Sequence, residues 1–197
     1  ERILRGCREL CEAHPEIRVS AVSSAGARQS FVLLDREGKA FYGLPNIDNR
    51  GRAFMDQVPD PEEVYRLSGK WCTEDFGAAK LLGLRQRRPE LYEKISQVTS
   101  ISEWIGQIFT GRTVMEPSQV YDIRERRWTD KLCRAYGVDP AILPPLENAG
   151  AVLGPVLPKW REALHMAEDA VFIVGGADTQ IALRQTEIRP GDIAVVS

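Results

Sequence analysis

One segment constrains this chain more than any other. Val171-Phe172-Ile173-Val174 is an unbroken apolar run that passes into Gly175-Gly176-Ala177-Asp178. Four large apolar residues, three of them β-branched, predict a strand buried on both faces. Glycines at a strand's carboxyl end allow a tight turn and the close approach of a ligand. Thr179 to Gln185 then reads as a helix, so Asp178 stands near a helix N-terminus, where negative charge is favoured. Two roles fit an aspartate there: a carboxylate that faces a ligand, or a cap of the following helix. The glycines match neither GxGxxG nor a P-loop, so the run alone specifies no nucleotide.

The rest of the chain supplies the frame. Residues 1–13 read as a helix with Ile3, Leu4, Cys7, Leu10 and Cys11 on one side, ended by Pro15. Ile17 to Ser23 and Ser30 to Leu34 read as strands. Asp35-Arg36-Glu37-Gly38 is a turn, and Lys39 to Tyr42 returns as a third strand. Pro45 to Gly51 is a polar loop. The stretch onward to about residue 170 is predicted to be mostly helical. One helix starts at Pro61 and another spans Phe76 to Arg88; a third spans Ile101 to Phe109, with Ser102 as N-cap and Gly111 beyond its end. A fourth covers Trp128 to Tyr136 and is followed by Gly137. Five prolines between Pro140 and Pro158 predict a rigid excursion, and Ile193 to Val196 a last strand. Strands at both ends with helices between them predict an α/β or α+β domain carrying a large helical insertion.

Composition excludes some functions. A formal net charge of −2 over 197 residues argues against a large nucleic-acid footprint. No apolar run approaches the roughly 18 residues of a membrane span, and no signal peptide is visible. A chain that opens on Glu1 is expected to lack its natural N-terminus. Its four cysteines form no CxxC pair. Cys7, Cys11 and His14 share a helical face but lack a fourth ligand, so they read as small helix residues in a reducing cytoplasm rather than a zinc site.

Two more polar segments carry potential chemistry. In Asn46-Ile47-Asp48-Asn49-Arg50-Gly51 an amide, an acid and an arginine share one loop and suit the hydroxyls of a polar ligand. In Ala25-Gly26-Ala27-Arg28-Gln29-Ser30, between two strands, Arg28 and Gln29 suit a polyol. Each taken alone reads more simply as a solvated turn.

Taken together, in order and spacing, the three segments resemble the N-terminal domain of the FGGY family of carbohydrate kinases over nearly the whole chain. Ala25 to Asp35 is similar to the loop and strand that hold Gln-Met-His in xylulose kinases and Gln-Arg-Glu in glycerol kinases. Pro45 to Arg50 resembles the family's Trp-x-Asp-x-Arg loop, with Asn46 at the tryptophan position as in autoinducer-type kinases. Phe76 to Gln86 resembles the signature helix, with Lys80 at its lysine. Glu116-Pro117-Ser118 resembles an Asp-x-Ser loop, followed by Tyr121 to Trp128. Gly175 to Gln180 is similar to the Gly-Gly-x-Asp segment that holds the catalytic aspartate. Gly83 departs from the pattern by replacing a tryptophan, and the chain is a few residues short between Ser118 and Tyr121.

The resemblance implies an actin-like (ribonuclease H-like) α/β fold with a helical insertion. Residues 1–197 would form part of the sugar-binding N-terminal lobe of a two-lobe kinase. The family's Asp-x-Gly-Thr phosphate hairpin and the ATP-binding C-terminal domain are expected outside this chain. It further implies a cytoplasmic enzyme, compatible with a homodimer, that transfers the γ-phosphoryl of ATP with Mg2+ to a sugar or polyol hydroxyl. Asp178 would be the general base, Asp48 and Arg28 would orient the sugar with Gln29 in support, and Arg50 would brace its loop. Arg28 with the Asn46-Ile47-Asp48 loop leans towards the autoinducer-like branch. The alternative is a catalytically inactive actin-like domain that binds a ligand or partner, motivated by Gly83 and the absent phosphate loops.

Overall fold

A computed structural model describes residues 2–117, 120–187, 189 and 191–193. Helix α1 (Arg2–Ala13) precedes strand β1 (Ala21–Gly26). A hairpin follows, β2 (Phe31–Leu34) and β3 (Ala40–Leu44). The middle of the chain holds α2 (Pro61–Ser68), α3 (Gly77–Arg87), α4 (Pro89–Tyr92), β4 (Gln97–Ser100) and α5 (Ile101–Thr110). A small ribbon of β5 (Tyr121–Asp122) and β6 (Arg127–Trp128) leads into α6 (Asp130–Tyr136). The last elements are β7 (Val152–Pro155), α7 (Pro158–Ala163), β8 (Val171–Ala177) and α8 (Asp178–Arg184).

Two three-stranded sheets carry the architecture. In one, β8 lies between β1, its parallel partner, and β7, its antiparallel partner. In the other, β2 lies between β3 and β4, antiparallel to both. Each sheet has its own apolar core. Leu33, Leu44, Val98 and Met115 pack with Phe76, Leu81 and Leu84 under the second sheet. Phe172, Val174 and Leu153 pack with Phe109 under the first, where Leu4, Cys7 and Cys11 of the amphipathic α1 also rest. Helix α5 contacts β1, β7 and β8 as well as β2 and β4, and so joins the two sheets.

The structure moves some expected boundaries. The first strand begins at Ala21 rather than Ile17 and runs to Gly26. β4 interrupts the stretch expected to be helical, and its last residue Ser100, not Ser102, caps α5. The Ser102 hydroxyl instead donates to the neighbouring Glu103 carboxylate at 2.8 Å. The Pro-rich excursion contains β7, whose ladder with β8 begins at Val152. The strand expected over Ile193 to Val196 lies largely outside the described residues. No helix among the described residues is long and apolar enough to cross a membrane.

Candidate active site

The site grows from the pairing of β1 with β8. Because these strands are parallel and end together, with Gly26 opposite Ala177, the loop after β1 and the helix after β8 leave the same sheet edge. A glycine is required at position 175 because a Cβ there would sit 2.0 Å from the Ser24 carbonyl oxygen. Gly176 has φ +98°, a conformation that side-chain-bearing residues avoid. The two glycines thus let β8 hug β1 and turn into α8. Ala177, not Asp178, occupies the cap position of α8, without a side-chain cap. Asp178 opens the first turn, exposed, and accepts from the Thr179 amide at 2.7 Å.

A cleft of about 600 Å³ opens at this edge. Its floor is Gly175 to Ala177, and Asn148 to Gly150, Gln180, Ile181 and Arg184 line it from the sides. Arg28, Lys70 and Glu116 contribute the remaining charges. The Arg28 guanidinium lies 3.9 Å from Glu116, and its buried Nε has no hydrogen-bond partner among the described residues. Burial, and then the charge of Arg28, bring the Lys70 ammonium down to about 8, while Glu116 opposes them. Lys70 Nζ also stands 5.6 Å from the centre of the Phe76 ring, a cation–π distance.

Of the four residues expected to act, Arg28 lines the cleft and Asp178 adjoins its floor through Ala177. Gln29 and Asp48 are not among the lining residues. Gln29 adopts φ +66° and its side-chain oxygen accepts from the Gly77 amide at 2.9 Å. Helix α3 has Phe76 at its cap position, which offers no side-chain acceptor, so Gln29 caps it from a distance. Asp48 is locked to Arg50, whose guanidinium reaches the carboxylate at 2.6–3.0 Å. Burial pushes the Asp48 carboxyl up. The hydrogen bonds and charge of Arg50, helped by Lys80, outweigh it and hold the group below the usual carboxylate range. Arg50 therefore braces its loop by pairing with an acid, and that acid is Asp48.

Lys80 joins the two loops. It is 0% exposed, and its ammonium donates to the carbonyls of Gln29 (2.8 Å), Pro45 (2.9 Å) and Asn46 (2.7 Å). All three of its protons are thereby placed on backbone acceptors. Gly83, one turn along α3, has a packing reason. A Cβ there would meet the Arg50 carbonyl oxygen at 2.5 Å, and one on Gly51 would meet that of Ala79 at 2.4 Å. The residue at the tryptophan position is small because the loop backbone lies directly on the helix.

Sequence reasoning did not single out Lys70, Arg184 or Glu103, and quoted Glu116 only within a resembling loop. Glu103, 2% exposed, lies near Glu116, and its Oε1 has no hydrogen-bond partner among the described residues. No group of three His, Cys, Asp or Glu side chains among the described residues is arranged to hold a metal. Cys7 and Cys11 pack against the core below the first sheet. Ser118 and Gln119 lie outside the described residues.

Comparison with known proteins places the chain in a family. The model of the FGGY family of carbohydrate kinases, N-terminal domain, matches residues 1–184. YoaC of Bacillus subtilis, a protein designated a sugar kinase, is 40% identical over 187 residues, covering 92% of this chain and 38% of YoaC. The autoinducer-2 kinase of Salmonella choleraesuis is 30% identical, covering 93% of this chain and 37% of that protein. The chain thus spans well under half the length of these relatives. Among solved structures, xylulose kinase from Rhodospirillum rubrum superposes with a TM-score of 0.85 at 20% identity, covering 96% of this chain and 43% of that one. Plasmodium falciparum glycerol kinase gives 0.77 at 18%, with 90% and 38% covered. The fold is the actin-like fold of those kinases, and the chain belongs to the FGGY family of carbohydrate kinases, matching its N-terminal domain.

Proposed function

We propose that the full-length protein transfers the γ-phosphoryl group of MgATP to a hydroxyl of a small sugar or polyol, and that this chain forms the sugar-binding part of its N-terminal lobe. The observation that carries the reading is the parallel β1–β8 pair, which brings Arg28 and Asp178 to one sheet edge beside the cleft. MgATP supplies the phosphoryl group.

Arg28 donates to acceptor oxygens from the cleft wall. Lys80 and the Asp48–Arg50 pair hold the two loops in place, so positioning is built in before substrate arrives. Asp178 accepts the hydroxyl proton on its carboxylate as the oxygen–phosphorus bond forms and the bond to the leaving nucleotide breaks. Its exposure on the first turn of α8 leaves it accessible to an incoming hydroxyl. A relative named autoinducer-2 kinase, and the Asn46-Ile47-Asp48 loop together with Arg28, favour an autoinducer-type acceptor. The inactive-domain reading loses its motive at Gly83, where the loop backbone fills the space.

The test is Asp178→Asn in the full-length protein. Phosphorylation should fall by about 10²–10⁴-fold, the usual worth of a general base, while calorimetric titration still detects sugar binding. Unchanged turnover would overturn the assignment.

A further inference from the structure

We propose that Glu103 is a positioning residue for the acceptor site: uncharged, it leaves the Arg28 guanidinium on the cleft wall, and ionised, it draws that guanidinium inward, away from the acceptor. The inference rests on the kinase reading above and adds a proton-dependent control to the same site.

The fold brings the two residues to one place. Arg28 follows the last residue of β1, Gly26, by two positions. Gly26 lies against the first turn of α5, where a Cβ on it would meet Ile101 Cγ2 at 2.5 Å. The Ser24 hydroxyl donates to the Ser102 carbonyl at 2.7 Å and ties β1 to that turn. Glu103 is the next residue of the turn and is 2% exposed. Glu116 links the pair: it lies 3.9 Å from Arg28, and among the described residues it is the charged group that acts on Glu103. Each side chain has one open position, and the two are complementary. Arg28 Nε is a buried donor and Glu103 Oε1 a buried acceptor, and neither has a hydrogen-bond partner among the described residues. The other carboxyl oxygen, Oε2, already accepts from Ser102 at 2.8 Å. Burial pushes the Glu103 carboxyl up to about 7 against that bond, with Glu116 adding to the rise. Below this pH the neutral acid attracts a cation weakly. Above it a buried carboxylate requires a donor, and a guanidinium supplies strong charge-assisted bonds. Arg28 is then shared between Glu103 and Glu116, and its contact with the acceptor is lost. Lys70 and Arg184 also line the cleft as cations. Burial and then Arg28 hold Lys70 at about 8, so it titrates over an overlapping range. Glu103 is therefore isolated by comparing proteins that keep Lys70, at one pH.

The experiment compares full-length wild type, Glu103→Gln and Glu116→Gln between pH 6 and pH 8. Phenylglyoxal labelling of Arg28, located by peptide mass spectrometry, reads how far the guanidinium is withdrawn. ADP release with xylulose and with glycerol reads the acceptor KM. In wild type Glu103 passes from roughly one-tenth to nine-tenths ionised over this range, so the acceptor KM should rise about tenfold. The kcat and the KM for ATP should stay nearly constant. At pH 8 Arg28 should label about tenfold faster in Glu103→Gln than in wild type, and at pH 6 the two should agree within about twofold. In Glu116→Gln the rise in KM, and the loss of labelling, should move to lower pH, because Glu116 no longer helps hold the proton on Glu103. Equal labelling of wild type and Glu103→Gln at pH 8, or a KM rise that persists in Glu103→Gln, overturns the inference and leaves the kinase reading standing. Should Glu103→Gln fail to fold, a transition at unchanged pH in Glu116→Gln overturns it instead. A labelling difference without turnover on either acceptor supports the role of Glu103 and counts against the kinase reading.

Discussion

The Lys80 ammonium and the Asn46 carbonyl oxygen are 2.7 Å apart, and the same ammonium reaches the Gln29 carbonyl at 2.8 Å. One buried charge thus fastens the loop after β1, which carries Arg28, to the loop that carries Asp48. Replacing Lys80 with Met removes the donor but leaves three carbonyls facing an apolar tip. Each unsatisfied buried acceptor costs about 1–3 kcal/mol before relaxation. In the full-length protein, Lys80→Met should lower apparent stability by about 3 kcal/mol and raise the acceptor KM at least tenfold. The KM for ATP should change much less. Equal rises in both would show that Lys80 supports the domain in general and not the acceptor loops.

Gly83 and Arg50 give a prediction whose sign separates two explanations. Helix propensity alone says that Gly83→Ala gains about 1 kcal/mol. The structure says the opposite, because the new Cβ would press on the Arg50 carbonyl oxygen at 2.5 Å and the Gly51 nitrogen at 2.8 Å. Neither neighbour is a flexible side chain, and overpacking of this kind costs about 1–3 kcal/mol. Thermal unfolding should show a net loss for Gly83→Ala, and a larger one for Gly83→Trp. A higher midpoint for the alanine variant would mean that the loop does not seat on α3.

What was legible in the sequence was what is local. β8 announces itself because an apolar run and its Gly-Gly exit are contiguous, and Asp178 follows from them. β4 was hidden because Gln97-Val98-Thr99-Ser100 is four residues long and becomes a strand through pairing with β2, more than sixty residues earlier. The same holds at the site. Lys80 could be matched to a signature helix, but its three carbonyl partners belong to two distant loops. Gly83 looked like a defect for the same reason, since the backbone it accommodates is thirty residues upstream. Lys70 and Glu103 have no sequence signature, and Glu116 is read from the sequence only as part of a resembling loop. Their chemistry arises from where the fold collects them.

Glu103 links stability to pH. Burial pushes its carboxyl up to about 7 against the Ser102 hydrogen bond, with Glu116 adding to the rise. The folded state therefore holds a proton that the unfolded chain releases near 4.5. This contribution is fully present below pH 4.5 and is lost as pH rises through about 7, up to about 3 kcal/mol in all. Glu103→Gln keeps the shape and removes the titration. Thermal unfolding of the full-length variant between pH 5 and 8.5 should show a flatter profile than wild type and a higher midpoint at pH 8. Parallel profiles would place the titration elsewhere.

Gln29 tests whether a residue beside the cleft binds substrate or builds the wall. Its side-chain oxygen accepts from Gly77 at the uncapped start of α3, and Arg28 is its chain neighbour. Gln29→Leu removes that acceptor, which should cost about 1 kcal/mol, the usual worth of a cap. Gln29→Glu retains an acceptor and adds negative charge at a helix N-terminus, a change worth about 0.3–1 kcal/mol in the stabilising direction. If the wall-building role dominates, the leucine variant loses stability and acceptor affinity together, while the glutamate variant keeps both. Thermal unfolding and acceptor KM on the two full-length variants decide it. Loss of affinity in both variants without loss of stability in either would assign Gln29 to direct contact with the sugar, because only a ligand would then register the difference.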